Sequence, residues 1–266
     1  MYATVNGIRM AYRERGRDHR MALLLVHGFP LDSRLWDAQI AGLSSRVRVI
    51  APDLRGSGKS DVPPGPYSMD QYADDMAGLL DGLGIRRAVV AGLSMGGYIA
   101  FALWRRHPER AQALVLADTR AEPDSPQARA NRDAAAIRVR EIGPAAYAEE
   151  MLPRLLAPAN LDTPRIRERA LPMMAGQPVE GTAGALGALR DRSDSRALLP
   201  GISVPVLVIV GREDSLTPPA DARAMADAIP GARLVEVPRA GHLSPLENPR
   251  AVNAALREFL REVAAA

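Results

Sequence analysis

The hydrophobic residues of this chain form short continuous runs that alternate with helical patterns. Two early runs, at residues 21–26 and 46–51, lack polar alternation, which is typical of strands buried on both faces of a parallel sheet. Further strands are predicted at 8–13, 87–92, 113–117, 204–210 and 233–237. Helices are predicted at 69–83, 98–107, 220–229 and 248–263. This alternation predicts an α/β fold with a mostly parallel central sheet flanked by helices.

The pattern changes in the middle of the chain. Between residues 120 and 199 the strand-like runs stop, and arginine, alanine and acidic residues dominate. We expect three to five helices and no strand there, inserted between two strands of the sheet. The predicted organisation is a core domain formed by residues 1–119 and 200–266, with a helical cap domain formed by residues 120–199.

Composition narrows the function classes. The 266 residues are 47% hydrophobic and 24% charged, and the formal net charge is +3 with both signs interspersed, so we expect no nucleic-acid partner. Cysteine is absent, which excludes disulfides, thiolate catalysis and cysteine-ligated metals. The N-terminus lacks a signal-peptide pattern, and the longest uncharged stretch, residues 88–104, divides into a strand and a helix. We therefore expect a cytoplasmic protein without membrane contact.

One motif carries the candidate chemistry. The sequence GLSMG occupies residues 92–96, between a predicted strand and a predicted helix. This order places Ser94 in a sharp turn at the carboxyl end of a strand, with its hydroxyl exposed. The motif by itself occurs by chance in many glycine-rich loops, but in this context it predicts a nucleophilic serine.

A serine nucleophile needs a general base, normally a histidine that a carboxylate orients. Among the four histidines, His242 follows the last predicted strand, where a base could reach Ser94. We interpret His19 and His107 as surface residues, and His27 as a residue that bonds loop backbone.

Two aspartates at strand ends compete for the role of the acid. Asp214 follows the strand at 204–210, and Asp118 follows the strand at 113–117; Glu213 is a weaker third. Both aspartates lie at the carboxyl edge of the sheet, where the functional residues of such folds are usually found.

The oxyanion and the substrate need further groups. We expect the backbone N–H groups of Met95, after the nucleophile, and Phe29, in the loop after the first buried strand, to hold the oxyanion. Four apolar residues are expected beside the site and predict small, uncharged ester substrates. They are Leu31, Trp36, Leu216 and Leu243.

Over essentially its whole length, the chain resembles the α/β-hydrolase superfamily. The matching motifs are HGFP at 27–30, DLRGSGKS at 53–60, GLSMGG at 92–97, GRED at 211–214 and AGH at 240–242. The resemblance implies that Ser94 is the nucleophile, Asp214 the acid and His242 the base, and that residues 120–199 form the family's cap. The turn that carries Ser94 is similar to the corresponding turn in small bacterial carboxylesterases and 3-oxoadipate enol-lactonase-like hydrolases.

These expectations describe a serine carboxylesterase that forms an acyl-enzyme on Ser94 and needs no cofactor and no metal. Its expected partner is a small-molecule ester, and the sequence does not reveal whether the protein is a monomer or a dimer. The alternatives are a lactonase or carbon–carbon hydrolase with the same triad, which a pocket arginine from the cap would favour, and a cofactor-free perhydrolase. A non-catalytic ligand receptor is the alternative from another class. Haloalkane dehalogenases and epoxide hydrolases are argued against, because they carry aspartate where this chain has Ser94.

Overall fold

The computed structural model describes residues 1–265, so Ala266, the last residue of the predicted second core segment, lies outside the described residues. Its strands are β1 Tyr2–Val5, β2 Ile8–Arg15, β3 Ala22–Val26, β4 Arg48–Pro52, β5 Ala88–Leu93, β6 Ala111–Ala117, β7 Val206–Gly211 and β8 Arg233–Val237. They form one eight-stranded sheet in the order β1-β2-β4-β3-β5-β6-β7-β8. The β1–β2 and β2–β4 pairs are antiparallel, and the other neighbours are parallel. The predicted mostly parallel sheet is confirmed.

Helices cover both faces of this sheet. They are α1 Asp37–Leu43, α2 Met69–Gly82, α3 Met95–Arg106, α4 Pro126–Met151, α5 Pro164–Ala175, α6 Val179–Arg190, α7 Pro219–Ala228, α8 Ser244–Glu247 and α9 Pro249–Ala265. Successive side chains of a strand point to opposite faces. In β3, Leu24 packs into the core on one face and Leu23 and Leu25 into the core on the other. That double burial explains why the central strands have continuous apolar sequences.

The cap region, residues 120–199, contains α4, α5 and α6 and forms no strand. It lies in the chain between β6 and β7, which are neighbours in the sheet. α4 is interrupted at Gly143, whose φ of 76° and ψ of 163° are not helical. The break follows from Pro144, because proline disfavours helical geometry in the residue before it and cannot donate a backbone hydrogen bond. Among residues 1–265, no helix has the length and apolarity needed to cross a membrane.

A few elements differ from the predictions. β1 and α1 were not predicted, because β1 is short and partly exposed and α1 spans only seven residues, too few to show a helical period. The helix after Ser94 begins at Met95 instead of residue 98. Two glycines occupy its first turn, and glycine is a weak helix former, so the sequence pattern marks that turn poorly.

Candidate active site

Ser94 lies in the turn between β5 and α3 and has a strained backbone. Its φ is 53° and its ψ −112°, a region that residues other than glycine rarely adopt. The tight packing around it requires glycine on both sides: a Cβ atom on Gly92 would overlap the backbone of Gly96, and one on Gly96 would overlap the carbonyl of Val26. The backbone N–H of Ser94 also donates to the carbonyl of Ala117 at 2.9 Å. These contacts hold the serine at the carboxyl edge of the sheet.

Three loops at that edge bring Ser94, His242 and Asp214 together. Nε2 of His242 lies 2.8 Å from Oγ of Ser94, and Nδ1 of His242 lies 2.8 Å from Oδ2 of Asp214. The loops follow β5, β8 and β7 respectively. The result is a continuous chain of hydrogen bonds from a carboxylate through an imidazole to a hydroxyl, which is the geometry of a nucleophile, its base and an orienting acid.

The Asp214 carboxylate is buried, 3% exposed, and fully hydrogen bonded. Oδ1 accepts the backbone N–H groups of Leu216 at 2.9 Å and Thr217 at 3.0 Å, and Oδ2 accepts the Thr217 hydroxyl at 2.6 Å. Burial by itself raises the pKa of Asp214, but the facing His242 and Thr217 outweigh it and hold that pKa below its ordinary value. Asp214 is therefore ionised at neutral pH.

Asp118, the competing acid, lies nearby but bonds other groups. Its Oδ1 accepts the N–H of Gly211 at 2.8 Å, and its Oδ2 accepts the N–H of Ser244 at 3.2 Å and the Ser244 hydroxyl at 2.5 Å. Burial, together with the charge of Asp214, raises the pKa of Asp118 well above its ordinary value. The structure thus places Asp214 against His242, and Asp118 between the loops that follow β7 and β8.

The two expected oxyanion donors both lie next to Ser94. Met95 is the first residue of α3, so its N–H precedes the helix's own hydrogen bonds. Phe29 lines the same cavity as Ser94, and its neighbour Gly28 approaches so closely that a Cβ there would lie 3.2 Å from Cβ of Ser94. Neither N–H takes part in the turn and loop hydrogen bonds that form within residues 1–265. Donation by Met95 and Phe29 to a bound oxyanion stays a prediction.

A cavity of about 370 Å³ opens over Ser94 and His242. Of the four apolar residues expected to contact substrate, Leu216 lines this cavity. The prediction is wrong for Leu31, Trp36 and Leu243, which are at most 1% exposed and pack in the hydrophobic core under the sheet edge. They lie near the site in sequence, but their side chains point toward the sheet and its helices.

Charged side chains of the cap region take part in the lining instead. Those of positive charge are Arg120, Arg132 and Arg154, and those of negative charge are Asp124 and Glu150. Arg132 lies 3.0 Å from Asp124, which Arg192 also contacts at 2.6 Å. Sequence reasoning missed all of these as pocket residues; the only signal was the position of Arg120 just after a strand end.

Arg154 is the cavity's least neutralised cation. The adjacent acids in the chain, Glu149 and Glu150, pair with Arg167 and Arg138 instead. Within residues 1–265, no acidic side chain forms an ion pair with Arg154. The lining carries three arginines against two acidic residues, an excess of one positive charge.

His27 and His107 lie where the sequence predicts. His27 is buried; its Nδ1 lies 2.9 Å from the carbonyl oxygen of Gly28, and its Nε2 accepts the N–H of Leu54 at 3.0 Å. Burial lowers the pKa of His27, so it stays neutral. His107 bonds Asp74 on the surface of α2 and α3. His27 thus stabilises, through these hydrogen bonds, the loop that carries Phe29.

Comparison with known proteins places this fold and site in a family. The model of the alpha/beta hydrolase family matches residues 23–255, and the chain belongs to that family. It is 35% identical over 212 residues to 3-oxoadipate enol-lactonase 2 of Acinetobacter baylyi, which covers 79% of this chain and 78% of that protein.

Two solved structures are similar over nearly the whole chain. A thermophilic esterase from Thermogutta terrifontis, with malate bound, has a TM-score of 0.95 and 45% identity, covering 99% of this chain and 98% of that one. The enol-lactonase from Burkholderia xenovorans LB400 has a TM-score of 0.91 and 36% identity, covering 98% of this chain and 100% of that one. The family and these relatives support hydrolase activity.

Proposed function

We propose that the protein is a serine carboxylic ester hydrolase that forms an acyl-enzyme on Ser94. The observation that carries this proposal is the hydrogen-bond chain Asp214–His242–Ser94, with both links at 2.8 Å. A strained backbone at Ser94 does not stabilise the sheet, and backbone strain of this kind costs about 1–3 kcal/mol. The strain therefore favours a catalytic serine over a ligand receptor built on the same fold.

In the first half of the reaction, Oγ of Ser94 attacks the ester carbonyl carbon while Nε2 of His242 takes the hydroxyl proton. The ionised Asp214 carboxylate stabilises the imidazolium that forms and keeps its Nδ1–H in place. The carbonyl oxygen becomes an oxyanion and accepts the N–H groups of Met95 and Phe29. The carbon–oxygen bond to the alcohol then breaks, and the alcohol leaves with the proton from His242.

In the second half, water takes the place of the alcohol. His242 removes a proton from that water, whose oxygen attacks the acyl carbon, and the bond to Oγ of Ser94 breaks as His242 returns the proton to the serine. Free acid and free enzyme result. The same two N–H donors hold the oxyanion again, and each such donor is worth about 10²–10³-fold in rate.

The cavity supports a small substrate that carries a carboxylate. Its volume of about 370 Å³ is near the low end of small-molecule sites, roughly 300–1,000 Å³. The expectation of an uncharged substrate depended on four apolar residues, three of which lie in the core. The excess positive charge, above all Arg154, favours an anionic ester in its place. The relative from Thermogutta terrifontis was described with malate, a dicarboxylate.

A lactonase is the second candidate, and the same arginines favour it. In a lactone, the alcohol and acyl parts belong to one ring, so the alcohol released in the first step stays attached to the acyl group. The enol-lactonase relatives at 35% and 36% identity support this candidate. Both candidates use one triad, and they differ in the shape of the substrate alone.

The test of the proposed function is labelling and loss of the nucleophile. A serine-directed phosphonate should add to the wild-type protein once, at Ser94, and Ser94→Ala should abolish both the adduct and hydrolysis of p-nitrophenyl acetate, by at least about 10³-fold. Ser193→Ala, a change at an exposed serine outside the cavity, should leave both unchanged. Normal activity in Ser94→Ala, with the fold intact by circular dichroism, would overturn the proposal.

A further inference from the structure

Glu247 is a buried carboxylate close to the base in the chain but absent from the triad. It ends α8, five residues after His242, and is 7% exposed. A buried carboxylate is costly unless its oxygens accept hydrogen bonds. Glu247 accepts four, and they divide equally between its two oxygens.

The first oxygen bonds the loop that carries the base. Oε1 accepts the backbone N–H of Gly241 at 2.9 Å and that of Leu243 at 3.2 Å. These residues stand on either side of His242, so the carboxylate fixes the backbone from which the imidazole extends. The N–H of His242 itself donates to the carbonyl of Leu155 at 2.9 Å, which belongs to the cap region.

The second oxygen bonds the cap region. Oε2 accepts the backbone N–H of Ala157 at 2.8 Å and Nδ2 of Asn160 at 2.7 Å. Leu155, in the same segment, lines the cavity over Ser94. One carboxylate therefore joins the segment 155–160 of the cap to the loop of the general base.

The two segments touch at Gly241 with no side chain between them. A Cβ atom on Gly241 would lie 2.6 Å from the backbone nitrogen of Ala157 and 2.8 Å from the carbonyl carbon of Leu156. Glycine is required for so close a backbone approach. The contact shows that the cap segment and the base loop are packed as one unit, independently of the hydrogen bonds.

We propose that Glu247 is a positioning residue for hydrolysis. Its carboxylate fixes the His242 loop to cap segment 155–160, a link called the lock below, and thereby holds the imidazole in line with Ser94. The proposal rests on the proposed function, because it takes His242 as the base. A displacement of a catalytic group by about 1 Å can cost about 10²-fold in rate. We therefore expect loss of this lock on the His242 loop to lower kcat more than it changes KM.

The substitution Glu247→Gln tests the lock with the least change in shape. An amide has one acceptor oxygen, so its NH₂ group must face either the two loop donors or the two cap donors. Asn160→Ala removes one cap donor, together with its bond to the Arg239 carbonyl, and leaves the bonds of Glu247 to Gly241 and Leu243 intact. Glu258→Gln is the matched control: it is the same chemical change at an exposed α9 position that pairs with Arg233.

The readout is kcat for p-nitrophenyl acetate per Ser94 titrated by the phosphonate, so that unfolded protein does not count. We expect Glu247→Gln to lower this kcat by about 10- to 100-fold with KM changed less than about threefold. Asn160→Ala should lower it less, and should add little in the double variant because both changes break the same lock. Glu258→Gln should match the wild type.

Three results would overturn the lock. The first is a kcat per titrated site in Glu247→Gln within about twofold of wild type, which marks a residue that serves stability alone. The second is a loss of kcat in Glu258→Gln equal to the loss in Glu247→Gln. The third applies if Glu247→Gln does not fold, and it is a kcat of Asn160→Ala equal to that of the wild type. Absence of a wild-type adduct at Ser94 would instead overturn the proposed function, so the two failures are distinct.

Discussion

Gly92 faces Gly96 so closely across the Ser94 turn that a Cβ atom on Gly92 would overlap the carbonyl of Gly96. This contact joins the end of β5 to the first turn of α3. The strained backbone of Ser94 can form only while both residues are glycine, because a Cβ atom on either would overlap neighbouring backbone. The geometry of the turn is thus set by contacts between backbone atoms, and no side chain could move to make room for an added group.

The first prediction concerns this contact. Gly92→Ala should destabilise the protein by about 1–3 kcal/mol, because β5 and α3 must separate to admit a methyl group. The control is Gly82→Ala near the end of α2, where an added Cβ meets nothing within 4 Å; it should stabilise by about 0.5–1 kcal/mol. Urea denaturation measures both. Equal stability of the two variants would contradict the account of the turn.

The second prediction separates the two aspartates. Asp214→Asn should lower kcat by about 10⁴-fold, because the amide cannot hold the imidazole in the right tautomer or stabilise its charge. Asp118→Asn should lower kcat far less, since Asp118 bonds Gly211 and Ser244 instead of the base. Steady-state hydrolysis of p-nitrophenyl acetate decides between them. A greater loss in Asp118→Asn would reverse the assignment of the acid.

The third prediction concerns charge in the cavity. Arg154→Gln should raise KM about tenfold for an ester that carries a carboxylate, equal to about 1.4 kcal/mol, and should change KM for a neutral ester of the same size much less. A p-nitrophenyl monoester of succinate and p-nitrophenyl butyrate form such a pair. Arg167→Gln is the control, since Arg167 lies outside the cavity. Equal effects on the two esters would remove the argument for an anionic substrate.

The fourth prediction is a pH dependence of stability from His27. The native protein keeps His27 neutral, because burial lowers its pKa, whereas the unfolded chain takes up a proton below about pH 6.5. The unfolded state then binds more protons, so the free energy of unfolding should fall as pH falls through this range, by up to about 1.4 kcal/mol per pH unit.

The measurement is urea denaturation of wild type and His27→Gln from pH 7.5 to pH 5. The variant lacks the titrating group, so the difference in stability between the two proteins should shrink toward low pH. Parallel curves would show that His27 does not contribute to the dependence.

The parts that the sequence predicted are those in which local pattern and position coincide. β3 is a continuous apolar run because both of its faces are buried. Ser94 and His242 each follow a strand, and strand ends converge at one edge of a parallel sheet, so their meeting follows from topology. Position alone could not decide between Asp118 and Asp214, since both satisfy that same condition; the family resemblance pointed to Asp214, and the coordinates place it against His242.

Apart from Leu216, the side chains that line the cap side of the cavity could not be predicted, for a physical reason. Loops have no fixed period, so Leu31 and Leu243 give no sign in the sequence that they point into the core. Arg132 and Arg154 line the cavity, and their direction depends on how the helices of residues 120–199 pack. Such directions are set by tertiary contacts, which one sequence pattern does not encode.

The insertion of the cap region between β6 and β7 has a consequence for how such a protein can diversify. The chain leaves one strand and re-enters at its immediate neighbour, so replacing residues 120–199 by another helical segment alters neither strand order nor register. Beside the loop of His242, such a segment must again offer donors where Ala157 and Asn160 now meet Glu247 and an acceptor where the Leu155 carbonyl now meets the N–H of His242. We therefore expect that specificity can change through residues 120–199 as long as their contacts with the core, such as those of Gln177 with Asp32 and Gly58, are kept.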